Sequence, residues 1–406
     1  MNRFLTIIGP GLLVAATGIG AGDLATASFA GSFLGTAVIW AVVIGALMKF
    51  TVTEGLARWQ LATDTTLLEG VVERLSPVFG WVFLVYLLLW SFFVGSALMS
   101  ACGVALHAAI PVFDDARSGK IVFGALCSLL GWALVLIGGY SLFEKIMKVC
   151  IGFMFLTVIS TAALLWPGSE ALMAGLFLPS IPETDGALGW TVALMGGVGG
   201  TVTVLCYGYW IREENRKGPD ELNTSRIDLA AAYLVTAVFG IAMVIIGSTI
   251  EIEGRGASLL VDLSARLEQS LGPIGRLAFL VGATGAVFSS LLGVWQAVPY
   301  LFADTWQQLR EPGRRSDATN TGSAVYRIYL AALALLPMAG LFLGFQEIQK
   351  LYAIIGAWFF PALTLALLVM NNRRAWVGER SRNGITANLA LLIVLVFFSW
   401  IALRSF

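Results

Sequence analysis

A chain of 406 residues that is 58% hydrophobic and only 12% charged, with a mean hydropathy of +0.84, belongs to the membrane class and reads as one polytopic domain. Its 25 basic and 25 acidic residues cancel and form no long basic run, so no electrostatic footprint for nucleic acid exists. A single histidine, His107, excludes His-rich metal sites, and Cys102, Cys127, Cys150 and Cys206 lie in apolar segments without ligand spacing and read as small core residues.

A window of about 20 apolar residues is needed to cross a bilayer. On that measure, spans are expected near 5–32, 36–58, 79–108, 120–140, 143–166, 189–211, 228–249, 275–302, 325–344, 349–371 and 385–404. The first apolar run lacks a basic leader and a small-residue cleavage site, so it is expected to persist as a span.

Span one carries Gly-Ile-Gly-Ala-Gly-Asp at residues 18–23. Each glycine costs a helix roughly 1 kcal/mol relative to alanine, so three in five residues predict that the helix opens. Asp23 follows at once, and a carboxylate at that depth must face a cavity, an ion or a partner. An opened helix beside an acidic residue is how secondary transporters build a cation site.

In span two, Lys49 and Glu54 are five positions apart, about 140° around a helix, and do not face each other. Glu54 either pairs with Arg58 at i+4 or lines an ion pathway to Asp23. Lys49 lies deeper, where it either neutralises a carboxylate or occupies the space of a coupling ion. Glu144, Lys145 and Lys148 read as an interfacial anchor. Residues 167–188, with three prolines and three acids, read as an extended connection.

Span six carries Gly196-Gly197-Val198-Gly199-Gly200 before Thr201-Val202-Thr203. A second glycine-interrupted segment five spans after the first points to an inverted-repeat transporter with its site between the repeats; close helix packing is the competing explanation. The mixed-charge stretch 212–221 is either a solvated loop or, through Glu213 and Glu214, an acidic path. Residues 251–273 place leucines at helical spacing, as an interfacial amphipathic helix or a short packed outer helix would. Ser289, Ser290 and Gln296 give span eight a polar stripe, which suits helix–helix hydrogen bonding or a second cation site. Basic residues concentrate on one side, including Arg212, Arg216, Lys217, Arg226, Arg373 and Arg380, which predicts a cytoplasmic N-terminus and an outer C-terminus.

The run Gly9-Pro10-Gly11-Leu12-Leu13-Val14-Ala15-Ala16, then Leu24-Ala25-Thr26, Ala30-Gly31, Leu56-Ala57-Arg58, Gly199-Gly200-Thr201-Val202 and Arg226-Ile227-Asp228, resembles the Nramp divalent-metal transporters over most of the chain. The resemblance implies an all-α polytopic LeuT-type fold. Its two inverted five-helix repeats would fall near 5–166 and 189–371, with an eleventh helix near 385–404. It also implies an integral protein of a bacterial-type plasma (inner) membrane, monomeric, with a metal ion as substrate, the lipid bilayer as surroundings and no cofactor.

The departures redirect the chemistry. The family's Asp-Pro-Gly-Asn is Gly20-Ala21-Gly22-Asp23 here, and its Met-Pro-His-Asn is Thr203-Val204-Leu205-Cys206. The family's third-span acidic pair falls on Ala97 and Ser100, and Trp358-Phe359-Phe360-Pro361 stands in the tenth span as a bulky gate or a tighter core. The expected ligands are Asp23, backbone oxygens at Gly20 and Gly200, and Thr203, with Cys206 as one soft ligand or a buried small residue; Glu54, Lys49 and Glu213 are the candidate ion pathway. An oxygen set suits a hard ion such as magnesium better than manganese or iron. The expected function is therefore a divalent-cation transporter or facilitator working by alternating access and not an enzyme, since no nucleophile or acid pair is present. A sodium-coupled amino-acid carrier and a non-transporting sensor of the same fold are the alternatives.

Overall fold

A computed structural model describes residues 9–250, 259–313 and 319–404. Every regular element among them is helical. The expected starts at residues 5–8 and 251–258 lie outside the described residues.

Nine helical runs among the described residues are long and apolar enough to cross a membrane. Two of them run across the boundary between two expected spans. Ala116–Leu164 has 49 residues, about 74 Å of helix against a hydrocarbon core of about 30 Å. Gly139 interrupts it at φ +59°, a conformation open to glycine, and this turn separates spans four and five. Asp23–Thr63 likewise joins the second half of span one to span two across the turn at Gly35, φ +64°.

Span one runs as an α-helix over Pro10–Gly18, a π-helix over Ile19–Thr26 and an α-helix over Ala27–Leu34. The glycines do not open this helix as expected; they widen it. The Ser290 hydroxyl accepts from the Gly20 N–H at 2.6 Å and donates to the Ala16 carbonyl at 2.7 Å. Those two backbone groups would bond each other in an α-helix, so Ser290 has inserted itself into the ladder, a recognised cause of local distortion. Gly20 permits the insertion because a Cβ there would lie 2.5 Å from the Ser290 Cβ.

Span six breaks outright. Ala187–Gly197 is helical, Gly199 and Gly200 take φ +70° and +87°, and a short 3-10 turn Val202–Leu205 leads into Cys206–Glu213. A positive φ at two successive positions is accessible only with glycine at low cost.

One connecting segment differs from its sequence reading and another takes one of its two expected forms. Residues 167–188 are not extended throughout: Ser169–Phe177 is a helix, because Pro167, Pro179 and Pro182 all fall outside it and leave a run of helix formers between. The helix docks tightly, since a Cβ on Gly175 would sit 2.2 Å from the Thr36 carbonyl. Leu260, Leu263 and Leu267 are all buried, so of the two expectations for this segment its described part before the Gly272 turn shows the packed helix and not an apolar face laid on lipid.

At the end of the bundle where basic loops cluster, ion pairs lock the elements together. Asp228, fully buried, accepts from the Gly11 N–H at 3.0 Å with both oxygens, from Arg216 at 3.0 Å and from the Tyr207 hydroxyl at 3.1 Å. It therefore caps the first turn of span one from the first turns of span seven. Asp304 accepts from Tyr209 at 2.6 Å and Thr66 at 2.8 Å, and Arg212 pairs with Glu69 at 3.0 Å. Exposed pairs such as Lys148–Glu144 contribute little beside these.

Two stability outcomes follow. Gly20→Ala overpacks the insertion site and is expected to cost about 1–3 kcal/mol, read as a lowered melting temperature of the purified protein. Asp228→Ala removes the buried acceptor shared by the Gly11 N–H, the Tyr207 hydroxyl and Arg216 and is expected to cost about 3–5 kcal/mol, so its melting temperature should fall further than that of Gly20→Ala.

Candidate functional site

The site lies where the bulge of span one meets the break of span six. A Cβ on Gly18 would lie 2.6 Å from the Gly199 carbonyl carbon, so the two backbones touch. Asp23 projects from the bulge, 0% exposed, and one carboxylate oxygen accepts from the Gly199 N–H at 3.2 Å. Among the described residues its Oδ1 has no hydrogen-bond partner, and it faces Gly240 of span seven, where a Cβ would approach it to 3.3 Å. A buried carboxylate oxygen without a donor is costly, and it is the natural place for a cation to bind.

Lys49 completes the arrangement. It stands mid-way along span two, Ile39–Thr63, also 0% exposed. Its Nζ donates to the carbonyls of Gly196 at 2.7 Å, Val198 at 3.2 Å and Gly200 at 2.5 Å. An ammonium has three donors, and all three are spent on the carbonyls that the break in span six releases. The Phe360 ring covers the same nitrogen, with 4.2 Å from Nζ to the centroid, a cation–π contact. Phe360 thus serves as a lid on Lys49, a role that the aromatic run in span ten did not reveal.

Asp23 and Lys49 interact through their charges without forming an ion pair. Opposite charges enclosed away from water attract more strongly than they would in solvent. That attraction offsets part of the cost of burying both.

The surrounding shell holds the break in shape. Trp90 donates its indole N–H to the Thr201 hydroxyl at 2.9 Å, and Gly356 admits Thr201 so closely that a Cβ would lie 2.4 Å from its methyl. Tyr233 packs against Gly199 and shares a 2.7 Å hydrogen bond with Thr53.

The sequence-derived candidates are distributed as follows. Asp23, Gly20 and Gly200 are together at the crossing, but the Gly20 N–H is held by Ser290 and the Gly200 carbonyl by Lys49. Thr203 lies on the 3-10 turn, its Oγ1 2.3 Å from where a Gly200 Cβ would be. Cys206 is fully buried at the start of the following helix. Glu54 is remote from the crossing in its bonding: it pairs with Arg58 at 2.6 Å and Arg226 at 2.9 Å. Glu213 accepts from the Tyr300 hydroxyl at 3.1 Å. Ala97 and Ser100 are buried without charge, and the Ala97 carbonyl accepts from Gln349 at 2.8 Å. Among the described residues no cluster of three or more His, Cys, Asp or Glu side chains could hold a metal. Any cation here would rely on one carboxylate and neutral oxygens. Ser290 and Asp228 were missed as positioning groups; the polar stripe of span eight was the only sequence signal for the first.

Comparison with known proteins places this geometry. The family described as Natural resistance-associated macrophage protein-like matches residues 11–406. The divalent metal cation transporter MntH of Aeromonas hydrophila is 22% identical over 409 residues, covering 96% of this chain and 93% of that protein. An uncharacterized protein of Pasteurella multocida is 22% identical over 260 residues, which span 63% of this chain and 58% of that relative. A mutant of the Eremococcus coleocola manganese transporter superposes with a TM-score of 0.77 at 16% identity, covering 99% of this chain and 86% of that one. MhsT in complex with L-phenylalanine superposes with a TM-score of 0.58 at 18% identity, covering 97% and 98%. With a family match across nearly its whole length, the chain belongs to the Nramp family of membrane transporters, and its all-helical architecture is of the LeuT type.

Proposed function

We propose that the protein carries a divalent cation across a membrane by alternating access around Asp23. The observation that carries this reading is the buried, donor-free Oδ1 of Asp23 at the contact of a bulged and a broken span. The metal transporter names of the Aeromonas relative and the Eremococcus structure support it. In this reading the cation is cargo and not a cofactor, and its dehydration is offset by Asp23, backbone oxygens at Gly20 and Gly200, the Thr203 hydroxyl and retained water. Cys206 contributes packing more than ligation.

An all-oxygen set favours magnesium or another hard ion over manganese or iron. Selectivity of that kind follows from the loss of a thioether at Thr203, not from a dedicated carboxylate cage. Spans one and six supply the movable parts, each at the matching place in one of two inverted five-helix repeats. The basic end, taken as cytoplasmic, is closed by the Asp228 cap on span one and by the Glu54–Arg58–Arg226 cluster. Opening toward that side must break these bonds, and Glu54 and Glu213 would then become accessible along the exit. The protein acts as a monomer in a bacterial-type inner membrane, N-terminus inside and C-terminus outside.

Uptake of Mg²⁺, Mn²⁺ and Ca²⁺ into proteoliposomes tests the reading. Native protein should move at least one of them, Mg²⁺ fastest, and Asp23→Asn should reduce that flux about tenfold or more. Flux that is equal in the Asn variant, or absent for all three ions in native protein, contradicts it.

A further inference from the structure

The Lys49 ammonium sits in a setting that is itself a cation site. Three carbonyl oxygens at 2.5–3.2 Å converge on Nζ, and an aromatic face closes the remaining side at 4.2 Å. The carbonyls belong to Gly196, Val198 and Gly200, residues just before and within the positive-φ step of span six. The ammonium reaches them from span two, an unbroken helix, across a sequence separation of 147–151 residues. Backbone oxygens freed by a broken helix are what transporters of this architecture offer to ions. Here a side chain of the protein already takes them.

We propose that Lys49 is a tethered cation filling the carbonyl cradle of span six, so that its ammonium and a mobile cation exclude one another from that cradle. The proposal rests on the reading that the site accepts cations. Two features of the geometry support exclusion over coexistence. All three donors of Lys49 are committed to the same oxygens that an ion would need, including that of Gly200. The compartment is fully enclosed, with Lys49, Asp23 and Thr201 each 0% exposed, so two like charges there would face each other without bulk water to screen them.

The flexible four-carbon stem of lysine lets the ammonium withdraw as a unit when a competitor binds. An ion must therefore gain enough from Asp23 and the carbonyls to expel it. Lys49 thereby raises the threshold for occupancy, and weakly binding ions are rejected. It also keeps the break in span six satisfied when no ion is present, which prevents an empty, polar, dehydrated cavity.

The test compares binding of Mn²⁺ and of Mg²⁺ to full-length native protein, Lys49→Met, Lys49→Gln and Lys49→Arg in lipid nanodiscs by calorimetry. Size-exclusion and thermal melting establish that each variant is folded. The Met and Gln variants should bind at least one of the two ions about tenfold more tightly than native protein. The Arg variant, which keeps the charge, should not. The Gln variant retains amide donors for the carbonyls, so it carries the comparison if Met fails to fold. Unchanged or weaker affinity in a folded neutral variant overturns the proposal, as does tightening by Arg equal to that by Gln. The two readings fail separately. Native flux in liposomes together with unchanged affinity in Lys49→Gln removes the exclusion and keeps transport; tighter binding in Lys49→Gln without native flux removes transport and keeps the exclusion.

Discussion

The contact on which the rest depends is the one between the Lys49 ammonium and the open backbone of span six. A helix that breaks inside a membrane exposes carbonyls that lipid cannot satisfy, each at a cost of several kcal/mol. Gly199 and Gly200 impose the break through their positive φ, and Lys49 repays it with hydrogen bonds to Gly196, Val198 and Gly200. The buried lysine in turn needs compensation, which comes from Asp23 and from the Phe360 ring. The pair makes the core of the site formally neutral. A divalent ion entering it meets one carboxylate and one resident positive charge, a weaker attraction than a two-carboxylate site would exert.

Span one reaches the same place by a different device. Its three glycines do not rupture the helix; Gly20 lets Ser290 enter the ladder between Ala16 and Gly20. The resulting π-helical stretch keeps most of its backbone bonded within itself, so few carbonyls from span one are available to an ion. The site is consequently asymmetric. In the proposed site span one supplies the carboxylate and the Gly20 oxygen, and span six the remaining carbonyls. Asp228 fixes where span one begins, which ties the position of Asp23 to the ion pairs at the basic end of the bundle.

Much of this was legible in the sequence because it depends on local features. Runs of apolar residues marked the spans, and paired glycines marked the break in span six. An acid inside an apolar run marked Asp23. What stayed hidden depended on contacts between residues far apart in the chain. The angle between Lys49 and Glu54 showed that they face apart but not that the first reaches residues 196–200. Likewise Glu54 shows the i+4 bond to Arg58 that the spacing allowed, yet its second partner, Arg226, lies 172 residues away. The serine in span eight that reshapes span one is 270 residues from the glycine it bonds. The helix at Ser169–Phe177 was obscured by its neighbours, since three flanking prolines dominated the reading of a segment whose interior favours helix.

The most direct test of the central claim is a structure determined in lipid nanodiscs at a resolution that places side chains, without added divalent cation and again with saturating Mg²⁺ or Mn²⁺. The ion-free state should show Lys49 bonded to the carbonyls of Gly196, Val198 and Gly200. The loaded state should show an ion against Asp23 with the Lys49 ammonium withdrawn from those oxygens. An ion bound beside Asp23 while Lys49 keeps all three of its carbonyl contacts would contradict the account.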